Sequence, residues 1–182
     1  MATIYLIRHG RASASFTDGL DPGLDDLGRA QATAACTVLA EYAPLAIRSS
    51  PLRRARETAE PLSRQLRQSI TIEERLAEIP SPGLSLSARG PWLREVMQGR
   101  WHEQSAALKE WRNALVACLL EIESDTAIFS HFVAINAAVG AAEMDDRVLV
   151  FRPDNGSITR IEVSGGELKL IERGDEADTR VN

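Results

Sequence analysis

Three widely separated stretches hold residues that could bind and attack an anionic group. Arg8-His9-Gly10 follows the apolar run Thr3-Ile4-Tyr5-Leu6-Ile7 with no polar lead-in. Arginine presents a planar fork of donors that matches phosphate or carboxylate. A neutral histidine can serve as a nucleophile. Glycine lets the backbone approach a bound group closely. By itself the triplet also reads as an ordinary strand end with a surface Arg and His. The later stretches shift that balance. Ser49-Ser50-Pro51-Leu52-Arg53-Arg54 and Ser130-His131 repeat the pattern of a short apolar run that ends in polar chemistry.

These residues need elements to bring them together. Thr3–Ile7, Leu45–Ser49 and Thr126–Phe129 read as short buried strands, each rich in apolar or β-branched residues. In an open α/β sheet, ligands bind at the carboxyl edge of parallel strands. If the three strands run parallel, Arg8, His9, Arg54 and His131 meet at that edge, beside the N-termini of the following helices. Free N–H groups and the positive dipole end make such a place an anion site. Two guanidinium groups add charge-assisted, bidentate contacts. A tetrahedral phosphoryl group uses this supply of donors better than a planar carboxylate.

The remaining pattern supplies the frame. A helix is expected from about Asp25 to Tyr42, with Leu27, Gln31, Ala34 and Val38 on its apolar stripe. A second should run from a Ser50 cap, with Pro51 in its first turn, to about Gln68, turning Thr58, Leu62 and Leu66 inward. Ser69–Ile72 reads as a strand. A short helix around Trp92–Met97 ends at Gly99, and longer ones span Ser105–Glu121 and Phe132–Ala142. Val148–Phe151, Ser157–Val163 and Glu167–Ile171 read as strands, with a Pro153–Gly156 turn. The last is an alternating edge strand, compatible with pairing into a homodimer. Alternating strands and helices predict an α/β fold with a largely parallel sheet.

The 182 residues predict one domain, 1–182, with 44% hydrophobic and 26% charged residues, ordinary values for a globular chain. A net charge of -5 argues against a nucleic-acid partner, although Arg53, Arg54 and Arg56 cluster locally. No apolar run is long enough to span a bilayer, and no basic-then-apolar leader opens the chain. Cys36 and Cys118 sit in Ala-rich helical patterns and read as buried thiols. A cytoplasmic protein with no membrane partner is expected.

The motifs resemble those of the histidine phosphatase superfamily, which includes the cofactor-dependent phosphoglycerate mutases. Leu6-Ile7-Arg8-His9-Gly10 is similar to its signature, and Ser49 to Ala59 to its second motif, with the motif's arginine on Arg54. Leu24 to Ala32 resembles the start of its first helix. Leu76-Ala77-Glu78 stands where the family has its acid, Ser130-His131 where it has a second histidine, and Asn155 to Thr159 at its late hairpin. The resemblance runs the length of the chain. It implies a phosphoglycerate mutase-like, three-layer α/β/α sandwich with a mostly parallel central sheet. It also implies phosphoryl transfer through a phosphohistidine on His9. Arg8, Arg54 and His131 would hold the phosphoryl oxygens, and Glu78 would serve as proton donor. The expected substrate is a phosphorylated small molecule or phosphopeptide, with neither cofactor nor metal.

Some positions depart from the family pattern. The mutases have a Gly-x-Trp-x-Gly-like stretch shortly after the acid, where this chain has Ile79-Pro80-Ser81-Pro82-Gly83. This stretch argues against a mutase-type phosphotransferase and for a phosphatase, and it also motivates the alternative of a non-catalytic, phosphate-binding relative in which Glu78 is not an efficient acid. Glu73 and Glu74 are nearby substitutes for Glu78, though they read first as solvated surface. Ala12 and Ser15 replace the family's Thr and Asn, leaving Ser15 or Ser13 to donate to phosphate. Phe132-Val133 replaces Gly-Gly after the second histidine, so the Phe132 N–H would serve within a bulkier, more apolar wall. Arg53 and Arg56 read as solvated helix charges, His102 as structural, and Trp92, Trp101 and Trp111 as core or lid. Arg11 either flanks the pocket or faces water. Specificity is expected in Phe16–Gly23 and Pro80–Gln104.

Overall fold

A computed structural model describes residues 1–14, 21–81 and 83–177. The N-terminal apolar run forms β1 (Ala2–Arg8), whose side chains alternate between two cores. Ile4 and Leu6 face one, and Tyr5 and Ile7 the other, as period-2 geometry requires. Then follow α1 (Asp26–Ala40), β2 (Ala46–Ser49), α2 (Arg53–Leu66) and the short β3 (Thr71–Ile72). A 3₁₀ turn over Glu74–Leu76 precedes α3 (Leu86–Gln98) and α4 (Ala106–Leu120). The chain continues through β4 (Thr126–Ser130), α5 (Phe132–Glu143), β5 (Ile158–Ser164) and β6 (Glu167–Glu172).

The strands form one six-stranded sheet in the order β3-β2-β4-β1-β5-β6. β4 pairs in parallel with both β1 and β2, and β3 extends the parallel half. β5 and β6 are antiparallel. Helices α1 and α2 cover one face through Ala35, Cys36, Leu39, Ala55, Ala59 and Leu62. Helices α3, α4 and α5 cover the other through Val96, Leu115, Leu119, Ile135 and Val139. Hence the architecture is the expected α/β/α sandwich. The register puts Arg8 level with Ser130, and Ser49 level with Phe129. All three chemistry-bearing strand ends therefore leave the sheet on one edge.

Several expectations need correction. The apolar stripe of α1 is displaced: Leu27 and Val38 are exposed, while Gly28, Ala32, Ala35, Cys36 and Leu39 are buried. Close packing selects the small-residue face. An added Cβ on Gly28 would lie 2.1 Å from the carbonyl oxygen of Arg11, so the helix start meets the chain leaving β1 with no space between them. Ser50 is not the cap of α2; Leu52 is, and it makes no side-chain cap bond. Val148–Phe151 is not a strand. The buried Asn136 side chain of α5 accepts the N–H groups of Val150 and Phe151 at 2.7 and 3.0 Å, ahead of any strand neighbour. Cys36 and Cys118 are buried and free.

Candidate active site

The Arg8-His9-Gly10 backbone is held by three elements, the 155–157 loop, β4 and α2. Arg8 N–H donates to Ser157 O, and Gly156 N–H donates back to Arg8 O. His9 N–H donates to Ser130 O of β4, and Asn155 Nδ2 donates to His9 O at 2.9 Å. Gly10 N–H donates to Thr58 Oγ1 at 3.0 Å, and that hydroxyl donates to Arg54 O, one turn earlier in α2. Thr58 therefore links the two motifs.

The side chains converge in a buried cup. His9 Nδ1 lies 2.7 Å from its neighbour's carbonyl, Gly10 O, an acceptor, so Nδ1 carries the proton. Nε2 is then the basic nitrogen, and Arg54 Nε donates to it at 3.1 Å. Burial first, then the charges of Arg54 and Arg8, hold His9 well below the ordinary imidazole range. His9 is a neutral imidazole with its Nε2 lone pair turned to a guanidinium. The His131 ring stands beside it, 5.2 Å between centroids. Burial, His9 and the two arginines depress His131 in the same way.

Arg8 reaches Pro153 O through NH1 at 2.8 Å, and its guanidinium lies 5.0 Å over the Phe132 ring. The departure at Phe132 thus supplies an apolar wall that also seats Arg8. Burial lowers both arginines, while Glu78 raises both. Glu78 is half-buried, on the strap between the Glu74–Leu76 turn and α3. Its carboxylate accepts N–H from Ile79, Val133 and Ala134 at 2.9, 3.2 and 3.2 Å. Burial pushes its carboxyl up, overcoming those three donors and the pull of Arg54. Arg8, His9, Arg54, Glu78, His131 and Phe132 therefore come together.

Other candidates lie elsewhere. Ser15 and most of the Phe16–Gly23 segment fall outside the described residues. Glu73 pairs with Arg75, which also holds Glu121 at the end of α4. Glu74 is exposed. Arg11 is exposed and paired with Asp25, Arg53 is paired with Glu57, and Arg56 is exposed. His102 is exposed and pairs with Asp146, away from the cup. Trp101 is buried, with Trp92 and Trp111 packed on the same core.

Sequence reasoning missed the contacts that Thr58 and Asn155 make with the first motif, and that of Ser50 Oγ, 2.7 Å from His131 Nε2. Thr58 had a usable signal, since it sits four residues after Arg54 on the same helix face. The Glu78 contact to α5 also had one. That helix opens on His131, which makes no side-chain cap bond, so an acceptor from elsewhere is needed.

A family model, that of the histidine phosphatase superfamily (branch 1), matches residues 4–176. The chain belongs to this superfamily. A glucosyl-3-phosphoglycerate phosphatase of Mycolicibacterium vanbaalenii is 44% identical over 79 residues, 41% of this chain and 35% of that protein. The matched stretch thus spans about a third of that relative's length. The native structure of a mycobacterial glucosyl-3-phosphoglycerate phosphatase superposes with a TM-score of 0.75 at 25% identity, covering 97% of this chain and 100% of that one. Its complex with VO3 superposes with a TM-score of 0.72 at 26% identity, covering 99% and 100%. Among histidine phosphatase superfamily members, then, these mycobacterial phosphatases share both sequence and architecture with this chain.

Proposed function

We propose that the protein hydrolyses a small-molecule phosphate monoester through a phosphohistidine intermediate. One observation carries the reading: a neutral His9 with a basic Nε2 shares its cup with Arg8, Arg54, His131 and a carboxyl of raised pKa. The similar phosphatase in complex with VO3 supports an oxyanion as the occupant.

In the first step His9 Nε2 attacks phosphorus. Arg54 moves its donor from Nε2 to a phosphoryl oxygen as the N–P bond forms. The P–O bond to the leaving group breaks, and that oxygen takes the proton of Glu78. Arg8, Arg54 and His131 meet the charge on the three phosphoryl oxygens. In the second step water attacks phosphorus, the Glu78 carboxylate takes its proton, and the N–P bond breaks. His9 leaves neutral, and inorganic phosphate is released. Both steps balance without a metal.

The test is a phosphatase assay on a panel of small phosphate esters, with acid-quench detection of phosphoenzyme. His9→Ala should remove turnover and phosphoenzyme together, and EDTA should leave wild-type activity intact. Phosphoenzyme persisting in His9→Ala, or loss on chelation restored by added metal, overturns the reading. Supplying 3-phosphoglycerate with its bisphosphate primer separates hydrolysis from mutase transfer.

A further inference from the structure

Ser50 sits between the second motif and the second histidine. It is fully buried at the end of β2, where its N–H donates to Phe129 O. Its Oγ accepts the N–H of Leu52 at 3.2 Å and lies 2.7 Å from His131 Nε2. A serine hydroxyl has a single proton to donate. Among the described residues, the acceptor in reach of that proton is His131 Nε2. If Ser50 donates there, Nε2 carries no hydrogen, and the proton of a neutral His131 must sit on Nδ1. His131 Nδ1 is itself buried and has no hydrogen-bond partner among the described residues. It belongs to the ring that stands 5.2 Å from that of His9.

We propose that Ser50 is a positioning residue that locks His131 in its Nδ1–H tautomer, so that the neutral imidazole donates to a phosphoryl oxygen. This rests on the phosphatase reading above. It resolves a difficulty in that site. Burial and three neighbouring groups disfavour an imidazolium at His131, so a donor that required protonation would fail at neutral pH. A fixed tautomer provides the donor at any pH at which the ring is neutral. Without the hydroxyl, the proton can move to Nε2. The Nδ1 lone pair would then face the phosphoryl oxygen, and binding would require protonation of His131.

Two measurements test this. The first is ¹⁵N NMR of histidine-labelled protein, which holds only three histidines. Wild type should show a protonated Nδ1 and a pyridine-like Nε2 on His131, and Ser50→Ala should shift the ring toward the Nε2–H form. The second is the pH dependence of KM. Ser50→Ala should raise KM at pH 8 by roughly 10- to 100-fold, the scale of one hydrogen bond to a charged group. The penalty should shrink toward pH 5.5, and Ser50→Thr should restore the wild-type profile. A purely structural role for Ser50 would weaken activity evenly across pH. An Nε2–H His131 in wild type, or a pH-independent penalty in Ser50→Ala, overturns the proposal. The NMR and Ser50→Thr arms remain decisive if Ser50→Ala does not fold. Absent phosphoenzyme in the wild type would sink the phosphatase reading instead, and the tautomer is read without turnover.

Discussion

Glu78 meets two opposing demands with one carboxyl. Its oxygens accept three backbone N–H groups, which favours the anion, yet burial dominates and raises its pKa. On the proposed reading it must be protonated for the first step. Turnover of esters with poor leaving groups should therefore fall as pH rises through this raised value. On the acid side, His9 stays a competent nucleophile until well below the ordinary imidazole range. In Glu78→Gln, the first-turnover burst should slow by about 10²- to 10⁴-fold for an alkyl phosphate, the usual worth of general acid catalysis. For p-nitrophenyl phosphate, whose leaving group needs no proton, the burst should slow by less than about tenfold. Equal losses on both substrates would remove Glu78 from the proton-donor role. At this scale, Arg8, His9, Arg54 and His131 were legible because three apolar runs each lead into polar chemistry, and parallel strands bring those ends to one sheet edge. Ser50 and Asn155 were not, since small polar residues suit caps and turns equally well.

At the scale of elements, the misreadings share a cause: tertiary contacts outweighed local pattern. Val148–Phe151 is as apolar and β-branched as a strand, but the Asn136 side chain of the preceding helix α5 accepts two of its N–H groups. Pattern reading cannot see an acceptor that arrives from elsewhere in the fold. The α1 stripe fails likewise. Leu27 and Val38 are more hydrophobic than the alanines beside them, yet the tight approach of Gly28 to the chain after β1 turns the Gly28, Ala32, Ala35, Cys36 and Leu39 face inward. That contact makes a prediction whose sign opposes intrinsic propensity. Replacing a helical Gly by Ala ordinarily stabilises by about 1 kcal/mol. Gly28→Ala should instead destabilise, because its Cβ would meet the Arg11 backbone, which cannot swing away like a flexible side-chain tip. It should also lower kcat/KM, since Gly10 packs as closely on the Gly28 backbone. Urea unfolding of the variant gives the sign. A raised midpoint would show that the α1 start has room to shift.

Across the whole molecule, charge is distributed against the average. The chain carries a net charge of -5, while the cup gathers two guanidinium groups around two buried, neutral imidazoles. This should appear in stability as a function of pH. His9 and His131 have folded pKa values below the unfolded value near 6.5. As pH falls through that value the unfolded chain takes up protons that the folded chain does not, so the unfolded state gains. Their contribution is fully present above about pH 6.5 and is lost as pH falls from there toward the folded values. Glu78 acts in the opposite direction. Its folded pKa is raised, so the folded chain keeps a proton that the unfolded chain releases above about pH 4.3. Falling pH relieves that cost, but one carboxyl opposes two imidazoles, so the net slope between pH 7.5 and 5 should favour the higher pH. Glu73, held down to about 2 by Arg75, adds a further loss only below the ordinary Glu range. Denaturant unfolding at the two pH values measures the slope. His131→Gln, which removes one of the two imidazoles, should flatten it. A slope unchanged in His131→Gln would mean that this imidazole is not held neutral in the fold. The charge pattern of the cup would then have to be read afresh.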